Sequence, residues 1–156
     1  MAASSIREVA VALPLTVSLV MTLITVVIHA IALIAIVHLF RHHHRLGRIG
    51  RRFWLDVIIV SGATLLAGAA HLAEISIWSV VFVLCGQFGA LSTAFYNSAM
   101  FYTALGYGED VMSSSWRLLA PFETADGMLA FGVSTAIVIS VIQLMIRTRF
   151  RDFRNL

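Results

Sequence analysis

The run from Val9 to Phe40 contains no formally charged residue, and neither does the run from Val57 to Ala73. A helix needs about 20 predominantly apolar residues to cross the hydrocarbon core of a bilayer. The first run exceeds that length and the second borders it. A water-soluble fold has no use for an uncharged stretch of the first kind. Composition agrees: 60% of residues are hydrophobic and 12% charged, against about 45–50% and about 25% in ordinary globular chains. The chain reads as an integral membrane protein, with the lipid bilayer as its first partner.

The start of the chain lacks the pattern of a cleavable signal. Arg7 is offset by Glu8, the apolar run is too long, and the arginines come after it. It reads as a retained first span. One cysteine, Cys85, excludes an intrachain disulfide and a cysteine-based metal cluster. Basic residues gather in RHHHRLGRIGRR, residues 41–52, and again in Arg147, Arg149, Arg151 and Arg154. By the positive-inside rule both clusters face the cytoplasm, where they anchor topology and meet anionic headgroups. Neither has a folded platform around it, so no nucleic-acid partner is expected.

Two inside clusters require an even number of crossings between them. The first span, within 9–40, therefore runs inward, giving a multi-pass protein of the cell (inner) membrane with its N-terminus outside and C-terminus cytoplasmic. Residues 53–86 stay helix-compatible throughout. Cutting them at His71–Glu74 would leave Glu109, Asp110, Glu123 and Asp126 in a cytoplasmic loop and move the C-terminal arginines outside, so one outer helix is expected. The last span covers 116–147, followed by a cytoplasmic tail, 148–156. Between them lies LSTAFYNSAMFYT, residues 91–103, too short to cross at ~1.5 Å per residue and too polar to face lipid. Such an element at membrane depth must be buried in protein or line water, as a re-entrant helix does; the alternative is an interfacial helix on the outer surface. The expectation is a single all-α membrane domain, with three transmembrane helices, a re-entrant helix and a loop.

That loop is ALGYGE, 104–109. Glycines one residue apart permit positive φ at alternate positions. Successive carbonyl oxygens can then turn to one side while Tyr107 packs on the other. One strand offers too few oxygens to replace a cation's hydration shell, but four around an axis supply rings of them. The preceding helix aims its negative C-terminal end at the same point. Glu109 and Asp110 would concentrate cations at the outer mouth.

AFYNSAMFYTALGYGED followed by WRLLAPFETADGMLAFGVSTA resembles the pore module of the prokaryotic two-transmembrane potassium channels, over about residues 53–148. The resemblance implies a homotetramer with an outer helix, a pore helix, a T-x-G-Y-G-D-like filter and a glycine-hinged inner helix. The filter would comprise Thr103, Ala104, Leu105, Gly106, Tyr107, Gly108 and Glu109. Potassium, as permeant ion rather than cofactor, would sit at the backbone carbonyls of Ala104, Leu105, Gly106 and Tyr107. Gly127 would be the hinge, with Met128, Phe131 and Thr135 facing the cavity. Ala104 departs from the pattern, because the family places a threonine whose hydroxyl completes the innermost ion site. Glu109 replaces an aspartate. The first span lies outside the resemblance and would pack peripherally.

Charged groups inside spans are costly and each calls for a function. His71 and Glu74 share a helix face at i, i+3, and Glu123 and Asp126 repeat that spacing on the last span. With Asn97 and Arg117 they read as a buried polar network behind the filter; alternatively, Glu123 or Asp126 faces the cavity. Asp56 is expected to pair with Arg52 or a headgroup. His29, His71 and Glu74, or His42, His43 and His44, could instead hold a transition metal or haem, and protonation of the latter run could bias an inner gate. No nucleophile–base set is present, so no enzyme is expected. The function classes are thus a potassium or monovalent-cation channel, a non-conducting pore-like scaffold or sensor, and an intramembrane metal or haem protein.

Overall fold

The structure, a computed structural model, describes residues 2–46, 49, 52–107 and 112–153, with 2–10 and 150–153 as backbone alone. The described residues form four helices and no strand: α1 (Ala2–Arg45), α2 (Phe53–Leu84), α3 (Leu91–Tyr102) and α4 (Leu119–Phe153). Three stretches are long and apolar enough to cross a membrane: Val11–Arg45, Phe53–Leu84 and Leu119–Arg149. The expectation of an all-α membrane fold with three spans and one short helix therefore holds. α3 has 12 residues, a length of ~18 Å, well short of a crossing.

α2 runs unbroken through His71 and Glu74, both of which are buried. Its polar pair points into the bundle, so nothing forces the helix to end there. α4 begins at Leu119, later than the sequence suggested. Ahead of it, Ser113 donates its hydroxyl to Gln87 Oε1 at 2.8 Å, and its backbone N–H donates to the same oxygen at 3.0 Å. Pro121 then falls in the first turn, where its missing N–H costs no intrahelical bond. At its other end α4 continues to Phe153, so part of the expected tail is helical.

In lipid, apolar side chains gain little by leaving the bilayer for the bundle interior, so association depends on close packing and hydrogen bonds. Both are visible. At one end of the bundle Met21, Trp78, Phe82, Phe88, Ala94, Met112 and Leu119 pack together. At the other, Phe40, Ile49, Ile59, Val141 and Met145 do so, beside an ion pair in which Arg149 Nη2 donates to Asp56 Oδ2 at 3.2 Å. On α1 the buried residues Ser18, Met21, Thr25, His29, Ile36 and Phe40 recur at helical spacing. Leu19, Leu23 and Ile31 on the same helix are exposed. Ser18, Thr25 and His29 thus sit on its inward stripe, whereas Thr16 and His38 are exposed.

The tightest approach is at Gly127 on α4. A Cβ placed there would fall on the main-chain carbonyl of Tyr102, at the end of α3. Only glycine lets the two backbones meet. A Cβ at Gly132, by contrast, would meet nothing within 4 Å. Gly127→Ala is expected to lower stability in detergent by about 1–3 kcal/mol or more, through overpacking against a rigid backbone. Gly132→Ala should change it by no more than about 0.5 kcal/mol. Thermal or denaturant unfolding of the two variants side by side checks the contrast.

Candidate functional site

The loop after α3 begins with a defined cap. Thr103 is the C-cap residue, and Ala104 follows at φ 58°, in the left-handed region. Ala104 N–H donates to Phe101 O at 3.0 Å and Leu105 N–H to Met100 O at 3.0 Å. This is the paired bonding of a Schellman cap, which usually places glycine where Ala104 stands. Gly106 follows at φ 72°. Positive φ therefore occurs at alternate residues 104 and 106, shared between an alanine and a glycine. The Thr103 hydroxyl donates back to Ala99 O at 2.6 Å. Leu105 is 55% and Tyr107 78% exposed, so no part of the described chain covers the loop. Gly108, Glu109 and Asp110 lie outside the described residues.

Directly beneath the end of α3 is a closed circuit of side chains drawn from all four helices. Tyr102 O–H donates to Glu74 Oε2. His71 Nδ1 lies 2.9 Å from Tyr102 Oη, and His71 Nε2 lies 3.3 Å from Ser134 Oγ. Ser134 Oγ in turn lies 2.9 Å from His29 Nε2, and His29 Nδ1 lies 2.9 Å from Glu74 Oε1. With Tyr102 donating to Glu74, the phenol oxygen must accept from His71 Nδ1–H. His71 Nε2 then accepts from Ser134, and Ser134 accepts from His29 Nε2–H. One proton remains, shared between His29 Nδ1 and Glu74 Oε1. Every polar atom is satisfied, and the circuit carries no net charge wherever that proton rests. This is the condition under which ionisable groups are tolerated at membrane depth.

Two smaller hydrogen-bonded groups lie beside the circuit. Thr25 donates to Asp126 Oδ2 at 2.5 Å, and Trp78 Nε1–H donates to the same oxygen at 3.3 Å. Ser98 Oγ lies 2.5 Å from Glu123 Oε1 and 2.9 Å from Ile75 O, tying α3 to both α4 and α2. Glu123 Oε2 and Asn97 Oδ1 are buried without a hydrogen-bond partner. Phe131 closes one side of the circuit, stacking on His71 with ring centroids 4.2 Å apart and meeting Tyr102 edge-on at 5.6 Å.

The structure thus brings together His71, Glu74, Glu123 and Asp126, with Asn97 buried on α3. It does not bring in Arg117, which is exposed in the turn preceding α4. That turn is held by main-chain bonds from Trp116 N–H and Arg117 N–H to Ser113 O. Met128 and Thr135 are exposed on α4, as is the outer part of Phe131. Gly127 is a contact with α3. Sequence reasoning missed Thr25, Trp78, Tyr102 and Ser134, and it grouped His29 with His71 and Glu74 only as possible metal ligands. A usable signal existed: Thr25 and His29 are four residues apart in an otherwise apolar run, hence on one helix face.

Residues 70–144 match a family model described as an ion channel. That segment begins beside His71, contains α3, the loop and Ser134, and leaves α1 outside. No curated protein and no solved structure matches the chain significantly. The matched segment therefore meets Thr25 and His29 from a helix outside it.

Removing the phenol hydroxyl leaves Glu74 Oε2 and His71 Nδ1 unpaired in a buried site. Tyr102→Phe is expected to lower stability by about 1–3 kcal/mol. Tyr96→Phe, at a residue 51% exposed on the same helix, should stay within about 0.5 kcal/mol. Equilibrium unfolding in detergent measures both.

Proposed function

We propose that four copies of this chain surround an axis and conduct potassium through the loop after α3. The observation that carries the reading is the geometry of that loop. It leaves a short helix through a left-handed cap, repeats positive φ at Gly106, and stands uncovered by its own chain. A strand of this kind is stable only when something covers it, and three further copies supply both cover and the missing oxygens. The carbonyls of Ala104, Leu105, Gly106 and Tyr107 would ligate the ion, replacing its water at little net cost. Met128, Phe131 and Thr135, uncovered on one face of α4, would line the cavity below. Glu109 and Asp110 would lie at the outer mouth. The match of residues 70–144 to the ion-channel family supports conduction as the activity. The arginine clusters support a cytoplasmic C-terminus and an outside N-terminus in the cell membrane.

Ala104 sets the expected departure from strict selectivity. It carries no hydroxyl, and the neighbouring Thr103 directs its own proton to Ala99 O. A β-branched residue at φ 58° is crowded, so threonine is not simply restored there. The carbonyl sites remain, and potassium is preferred with a narrower margin than four complete sites give.

Purified protein reconstituted in liposomes should pass potassium, with a reversal potential in mixed potassium and sodium that favours potassium. Gly106→Ala, which forces a side chain at φ 72° with strain of about 1–3 kcal/mol, should abolish flux while leaving the tetramer intact. Equal permeability to the two ions would defeat the selectivity. A tetramer without flux would favour the scaffold reading, and a monomer or dimer would end the proposal.

A further inference from the structure

We propose that His29, His71, Glu74 and Tyr102 form a binding site for one divalent transition ion of the Zn²⁺ class, buried where α1, α2 and α3 meet. The inference rests on the side-chain circuit and stands apart from conduction. Among the described residues, His29, His71 and Glu74 are the group of histidine, cysteine or acidic side chains whose ligand atoms come together, all within 4.8 Å of one another. All three are buried, at 5%, 7% and 1% exposure.

The ligand edges are set at metal-site spacing. Around a four-coordinate ion with bonds of about 2.0–2.1 Å, neighbouring ligand atoms lie ~3.3 Å apart. Here His29 Nδ1 is 2.9 Å from Glu74 Oε1, His71 Nδ1 is 3.7 Å from Glu74 Oε2, and Tyr102 Oη is 2.9 Å from His71 Nδ1. These three edges bracket the required value, with Glu74 offering either oxygen, and the ligand atoms of His29, His71 and Glu74 all lie within 4.8 Å of one another. The far nitrogens support the same assignment. Both Nε2 atoms converge on a single hydroxyl, Ser134 Oγ, at 2.9 and 3.3 Å. When each Nδ1 binds metal, each Nε2 carries a proton, and one oxygen with two lone pairs accepts both. Ser134 then turns its own proton to a carbonyl one turn back, as Ser140 does to Ala136 O. A hydrogen-bonded outer partner of this kind fixes tautomer and ring orientation at metal sites.

Charge completes the case. Two neutral imidazoles, a carboxylate and a phenolate balance a divalent cation to zero, which a membrane interior demands. Loading releases two protons: the one shared between His29 and Glu74, and the Tyr102 phenol proton. No redox change is involved. An oxygen and nitrogen donor set without sulfur suits Zn²⁺ or Co²⁺. A cavity of about 200 Å³ between α1 and α4, bounded by His29, Glu74 and Leu33 among others, reaches the site from the bundle flank. The ion would pin α1 to the pore helix, making the first span a metal-dependent part of the assembly.

The test uses full-length protein without an affinity tag, dialysed against Zn²⁺ and then metal-free buffer, with zinc measured by mass spectrometry. About one zinc per subunit is expected, and Co²⁺ substitution should give the intense visible bands of a tetrahedral centre. The combined His42→Ala, His43→Ala and His44→Ala variant should keep the metal. Glu74→Gln and His29→Ala should each lose it at least tenfold. Should either variant fail to fold, the cobalt spectrum of the unaltered protein decides alone. Zinc below one-tenth equivalent in the loaded protein, an octahedral cobalt spectrum, or loss of metal only with the 42–44 variant would overturn the site. Potassium flux is not the readout, so failure here leaves the channel reading standing.

Discussion

Glu74 is the residue around which the rest of the structure is arranged. A carboxyl group in the middle of a transmembrane helix must find partners for both oxygens without leaving the bilayer. It finds His29 from α1 and Tyr102 from α3. The histidine is held by Ser134 on α4, which also holds His71 one turn before Glu74 on α2. No helix can shift along its axis without opening this circuit. Removing one partner of such a buried pair leaves the other exposed to the full desolvation cost. In a bundle whose apolar contacts gain little over lipid, that asymmetry, rather than burial of hydrophobic area, sets the register.

The consequence for function is positional. Tyr102 is the last residue of α3 and Thr103 its cap, so the circuit clamps the chain two residues before Ala104. Gly127 brings the α4 backbone against the Tyr102 carbonyl from the other side. The left-handed turn at Ala104 is thus launched from a point fixed by a hydrogen bond, edge-on ring contacts and a backbone contact. The proposed use of this loop's main-chain oxygens needs its start placed accurately, because a carbonyl cannot be repositioned by choosing another rotamer.

Much of this was legible in the residue order. Uncharged runs and arginine clusters mark the spans, and the shortness and polarity of 91–103 mark an element that does not cross. The i, i+3 spacing of His71 and Glu74, and of Glu123 and Asp126, marks inward faces. What stayed hidden has a common cause: local spacing says which residues share a face but not which face meets it. The first span is expected to be peripheral because it lies outside the resemblance, yet its His29 and Thr25 bond Glu74 and Asp126 across the bundle. Arg117 was drawn toward the acids by charge alone and proves to lie outside, on a turn fixed by Ser113. The positive φ at Ala104 was invisible for another reason, since glycine is the usual marker of that conformation and the alanine here occupies it through the Schellman bonds.

The most direct measurement of this account is a double-mutant cycle on His29 and Glu74, using His29→Ala, Glu74→Gln and the pair, with unfolding free energies in one detergent. If the buried circuit binds α1 to the other three helices, the coupling energy should reach at least about 1 kcal/mol. Effects that add to within about 0.5 kcal/mol would mean that the two side chains do not act together, and would contradict the central role given to Glu74.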